Sequence, residues 1–142
     1  MAQLSEKDTG TIAELAFSSE AMRRGYHLAQ PLGDNAQYDL LLEAGDRVYR
    51  VQVKASSNTY HGVYTFLLRR GRYKVSYTEV DVFACYLIPE RLFFIIPRNE
   101  IKDRRTIKLN PTPRGSMWAK YRENWGVFEQ QLPGLKNIEE RA

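Results

Sequence analysis

The chain has 142 residues, enough for one domain with a sizeable core, and its 43% hydrophobic and 27% charged content excludes a disordered polymer. Lys and Arg total 21 against 17 acidic residues, a net charge of +4. That mild excess permits a polyanionic partner without demanding one.

The first predicted element is a helix over 5–24, capped by Ser5 or Thr9 and stopped at Gly25. Its centre, from Ile12 to Phe17, is apolar except for Glu14. Residues 26–30 read as a short strand, ended by Pro31 and the turn-rich Gly33-Asp34-Asn35. Two strands are then expected over 38–43 and 48–55, joined at Gly45-Asp46, a favoured hairpin turn. A further strand is expected over 63–69, and an apolar strand pair over 80–88 and 91–96. Residues 110–115 read as a linker to a C-terminal helix, in which Trp118, Tyr121, Trp125 and Phe128 recur at helical spacing. Helices at the two ends of a run of strands point to an α/β (α+β) domain spanning 1–142, with one mixed central sheet flanked by helices.

The single cysteine, Cys85, lies in an apolar run and reads as a buried structural thiol. No apolar run approaches membrane-spanning length and the first residues lack a signal-peptide pattern, so a cytoplasmic location and no membrane partner are expected. His27 and His61 lack Cys partners, which argues against zinc, and no glycine-rich phosphate loop or serine nucleophile motif is present.

The hairpin carries the chemistry. With Gly45-Asp46 as its turn, Asp39 falls opposite Gln52 and Leu41 opposite Arg50. Facing side chains have Cβ atoms roughly 4.5–5.5 Å apart, close enough to share a cation. Lys54, two residues beyond Gln52, projects from the same face, while Leu40, Leu42, Val51 and Val53 supply packing on the other. Carboxylate and amide oxygens suit Mg²⁺, and a neighbouring Lys can orient a water for attack on phosphorus. The plainer explanation is a turn Asp and a solvated Lys, since the pattern is short and its residues common. Against it stand the register, the apolar flanks, and Glu14, whose carboxylate needs a partner within an apolar helix.

The runs Thr9-Gly10-x-x-x-Glu14, Gly25-Tyr26, Pro31-Leu32-Gly33-Asp34, Tyr38-Asp39-Leu40 and Tyr49-Arg50-Val51-Gln52-Val53-Lys54 resemble the PD-(D/E)XK nuclease superfamily. They look closest to the branch containing the cyanobacterial group I intron homing endonuclease, in which Gln replaces the usual second acid. Archaeal Holliday junction resolvases share a similar layout more distantly. Two departures stand out: Tyr38 precedes the Asp where the superfamily motif has Pro, and Gln52 is not acidic. The resemblance implies a restriction-endonuclease-like core and a site in which Asp39, Gln52 and Glu14 bind metal. Lys54 would position the attacking water. It further implies Mg²⁺ as cofactor (Mn²⁺ as a substitute), double-stranded DNA as partner, and a homodimer or homotetramer, because a double-strand cut needs two active centres. Arg69, Arg70, Arg72 and Lys74, interleaved with Tyr64, Tyr73 and Tyr77, are expected to track DNA phosphates. A second basic cluster is Lys102, Arg104, Arg105 and Lys108. A site-specific endonuclease, a junction resolvase and a non-catalytic DNA-binding module on the same scaffold remain open at this point.

Overall fold

The computed structural model describes residues 4–33, 35–57, 59–70, 75–112 and 116–137. Helix α1 spans Glu6–Arg23; the Ser5 side chain accepts a hydrogen bond from the Asp8 N–H, and Glu6 and Asp8 complement the positive end of the helix dipole. It stops where Gly25 takes φ +88°, a conformation that only glycine adopts without strain. Ala13, Phe17 and Ala21, spaced four apart, form its buried stripe.

Strands β1 (His27–Ala29), β2 (Leu40–Ala44) and β3 (Arg47–Ser56) follow as an antiparallel meander. In the β2–β3 turn Gly45 has φ +64° at the first central position, where a tight hairpin most needs glycine. The expected register holds throughout the ladder, with Leu40 opposite Val51, Leu41 opposite Arg50 and Leu42 opposite Tyr49.

The chain then leaves this sheet through β4 (Thr59–Tyr60), β5 (Val63–Leu67), β6 (Arg69–Arg70) and β7 (Val75–Ser76). It returns as β8 (Val82–Leu87), parallel to β3, and turns into β9 (Leu92–Pro97). A short helix α2 (Arg98–Ile101) leads to β10 (Thr106–Leu109), which pairs with β5 in a second sheet ordered β10-β5-β4. Near the C-terminus β11 (Lys136–Asn137) pairs with the start of β3. The central mixed sheet runs β1-β2-β3-β8-β9, as the expected fold class requires.

The parallel β3–β8 pair forces a crossover, and the crossover supplies the layer on the second face of the sheet. Every residue of β8 and β9 is therefore buried. Val82, Ala84, Tyr86, Phe93 and Ile95 pack toward α1, whereas Phe83, Cys85, Leu87, Phe94 and Ile96 pack toward β5 and β10. No described helix is long and apolar enough to cross a membrane.

The C-terminal helix expected from the aromatic spacing does not form. Two 3₁₀ turns, Ala119–Tyr121 and Trp125–Glu129, take its place, separated by Glu123 at φ +49°. Between them the chain hooks onto the edge strand. The Glu123 N–H donates to the Phe93 carbonyl, the Glu123 carboxylate accepts from the Phe93 N–H, and the Asn124 amide donates to the Ile95 carbonyl. This segment wraps the sheet edge, sending Trp118 and Tyr121 into one core and Trp125 and Phe128 into the other. Four aromatics at helical spacing thus serve two faces of a sheet, and two layers of packing override local propensity. Of the expected linker, residues 113–115 lie outside the described residues.

Candidate active site

Phe17 anchors α1. Its ring is fully buried, stacks on Trp125 at 5.1 Å and meets Phe93 and Phe128 edge-on at 5.7 and 6.2 Å. Glu14, one turn earlier and next to buried Ala13, is thereby fixed at the margin of the helix–sheet interface, where its carboxyl comes within reach of that of Asp39.

Asp39 stands one step beyond the last regular β2–β3 pair. Its N–H donates to the Val51 carbonyl at 2.8 Å, and its carboxylate reaches past Gln52 to accept from the Val53 N–H at 2.8 Å. The pairing with Gln52 expected from the sequence is thus a straddling arrangement rather than a further rung of the ladder. Position explains its reach. The α1 side of the sheet carries Leu40, Val51 and Val53, while Lys54 projects on the other side, in register with Cys85. From the strand end Asp39 meets Glu14, from the helix layer, and feels the charge of Lys54, from the opposite layer. Gln52 is half-buried on β3 in register with Phe83.

The electrostatics are those of a site short of positive charge. Burial, and then the neighbouring Asp39 charge, hold the Glu14 carboxyl above its usual range. Burial also raises Asp39, while the Val53 N–H, Glu14 and Lys54 all pull it back down. Two carboxylates within hydrogen-bonding reach are eased by sharing a proton or by taking up a cation. The donor set fits a hard cation, because Glu14 and Asp39 offer carboxylate oxygens and Gln52 can add an amide oxygen. Among the described residues no group of three or more His, Cys, Asp or Glu side chains could hold a metal, so a cation here would retain waters as Mg²⁺ does. A cleft of about 300 Å³ opens beside Glu14, Tyr38 and Asp39. Larger hollows of about 540 and 440 Å³ lie at the Gly45 turn and along α1, but neither contains this carboxylate pair.

Three supports escaped sequence reasoning. Lys54 Nζ donates to the Tyr77 hydroxyl at 2.9 Å and lies 4.9 Å from that ring's centre. The Gln37 amide oxygen accepts from the Thr78 and Glu79 N–H groups, both at 2.8 Å, tying the segment after β7 to the approach of Asp39. Two residues before Gln52, Arg50 pairs side-on with buried Asp81, through two bonds of 3.0 Å. Only the Tyr77 ring left a trace in the sequence, as one of several aromatics among basic residues.

The expected DNA-contact cluster is only partly visible. Arg69 and Arg70 form β6, but their side chains, together with all of Arg72, Tyr73 and Lys74, lie outside the described residues. Tyr64 and Tyr77 are buried, which corrects the expectation that they lie along a DNA backbone. In the second cluster Lys102, Arg105 and Lys108 are exposed, while the Arg104 guanidinium stacks over Trp118 at 5.4 Å.

A mixed sheet whose hairpin end gathers a helix carboxylate, a strand carboxylate and a strand lysine has the plan of a nuclease core. The family model for PD-(D/E)XK endonuclease matches residues 4–128, and the chain belongs to that family. Nucleases of the family generally use divalent metal ions. Among solved structures the chain is similar to "The structure of a bacterial homing endonuclease: I-Ssp6803I", with TM-score 0.77 and 29% identity over 88% of this chain and 91% of that one. No curated protein matches the sequence.

Proposed function

We propose that this protein is a Mg²⁺-dependent DNA endonuclease, site-specific and homing-like, acting on double-stranded DNA as a homodimer or homotetramer. The observation that carries this reading is the contact between Glu14 and Asp39 at the end of the hairpin that also bears Gln52 and Lys54. Two half-buried carboxylates set against each other are costly to a fold that gains nothing from them. Family membership and the similarity to a bacterial homing endonuclease favour DNA as the substrate.

In this reading Asp39, Glu14 and Gln52 hold the cation. The bound ion supplies Lewis-acid stabilisation of charge on the phosphate oxygens and makes a nearby water more acidic. Asp39 is held by the Val53 N–H, which leaves its remaining lone pairs for the site. Lys54 orients the attacking water and helps balance charge as the phosphorus–oxygen bond breaks. The neutral Gln52 keeps the three-donor set less negative than a Glu would, so cation affinity is weak until substrate phosphate joins. Arg69, Arg70, Arg72 and Lys74 are assigned to DNA phosphates, and reversing their charge should flatten the salt dependence of binding.

The test is cleavage of duplex DNA in Mg²⁺ against EDTA, with Lys54→Ala in parallel. Nicking or cutting that needs Mg²⁺ and is lost in the variant supports the proposal. Wild-type protein that binds duplex DNA but leaves it uncut in both Mg²⁺ and Mn²⁺ overturns it.

A further inference from the structure

We infer that Tyr77 is the positioning residue for Lys54, fixing its ammonium so that it meets the attacking water in one orientation; this rests on the nuclease reading above. A lysine side chain carries four flexible bonds, and ordering it is entropically costly unless something holds the tip. Here the holder is built into the fold. The Tyr77 hydroxyl accepts from Lys54 Nζ at 2.9 Å, which sets the charge at the hydroxyl end of the ring, 4.9 Å from its centre. An ammonium has three donors, so one bond to Tyr77 leaves two for water and phosphate.

Tyr77 is itself immobilised from three directions. It is 9% exposed and meets Phe83 edge-on at 5.2 Å. Phe83 is the β8 partner of Gln52, so the ring rests on the strand beside the site. The two residues that follow it, Thr78 and Glu79, donate their N–H groups to Gln37, two positions before Asp39. Tyr77 also directly follows β7, the strand that returns from the basic segment. One short stretch thereby connects the proposed DNA-contacting ribbon, the approach to Asp39 and the tip of Lys54.

Tyr77→Phe separates positioning from packing, because it keeps the ring and removes only the hydroxyl. The expected result is a fall in kcat of about tenfold, the usual scale for losing a hydrogen bond to a charged group, with KM for DNA within about twofold. In a Lys54→Ala background the same substitution should cost nothing further, since the two residues act as a unit. A second readout does not need catalysis: side-chain ammonium NMR of Lys54 should show faster proton exchange in Tyr77→Phe than in wild type. Unchanged kcat, or a loss that adds fully to that of Lys54→Ala, overturns the assignment, as does an unaltered Lys54 signal. If wild-type protein does not cut DNA the nuclease reading fails, and with it the catalytic meaning of the pair; the NMR comparison then decides only the pairing.

Discussion

Two aspartates stand just before the two strands that flank β3, Asp39 before β2 and Asp81 before β8, in opposite circumstances. Asp81, just before β8, is 6% exposed, and its carboxylate takes two bonds from the Arg50 side chain and one from the Arg50 N–H. Its own N–H returns a bond to the Arg50 carbonyl at 2.8 Å, so this pair sets the parallel β3–β8 register. Asp39 has one backbone donor and faces another carboxylate. Charge complementarity marks the first as structural; the second, with only the more distant charge of Lys54 to offset a facing carboxylate, is the one assigned above to the proposed cation site.

The largest expected effect falls on the second site. Asp39→Asn preserves the acceptor for the Val53 N–H but removes the charge, and should lower the DNA cleavage rate about a thousandfold or more, as loss of a principal electrostatic group does. Near-native circular dichroism would show that the loss is not one of folding.

The next tests the contrast from the other side. Asp81→Ala strands the Arg50 guanidinium and should cost about 3 kcal/mol of unfolding free energy, the scale for removing one partner of a buried ion pair. Denaturant titration measures it. A change below about 1 kcal/mol would put Asp81 among ordinary surface pairs and dissolve the comparison.

Gln52→Glu should tighten Mg²⁺ binding to the DNA-free protein, by about tenfold from the added charge. Isothermal calorimetry showing equal affinities would remove Gln52 from the cation's surroundings.

The smallest effect is on pH dependence. With Glu14 and Asp39 both raised, their contribution to metal-free stability is complete below the ordinary carboxylate range and is lost as pH rises through the raised values. Wild type should therefore lose stability relative to Asp39→Asn on going from acid to neutral pH. Melting curves for the two proteins across that window give the difference directly.

Much of this contrast was legible in the sequence on one side only. Gly45-Asp46 sets the hairpin register, and alternation along 48–55 separates Val51 and Val53 from Gln52 and Lys54, because both are local rules. The need of Glu14 for a partner also followed from its apolar helix. Nothing local announces the Arg50 and Asp81 pair, since it joins residues 31 apart across a parallel crossover. The C-terminal aromatics misled for a related reason: spacing describes one helix face well, but cannot reveal that Glu123 turns the chain around a sheet edge. Asp39 likewise fits the hairpin rule to within one residue. Its final position beyond the ladder, between the two layers, depends on where α1 docks.

The central question for this protein is whether the Glu14 and Asp39 pair is a cation site. Thermal unfolding of wild type and Asp39→Asn at neutral pH, without and with Mg²⁺ at about 10 mM, addresses this through binding linkage alone. The predicted result is that Asp39→Asn melts higher without Mg²⁺, while Mg²⁺ raises the melting temperature of wild type only. A variant that melts lower than wild type, and a wild type indifferent to Mg²⁺, would contradict it.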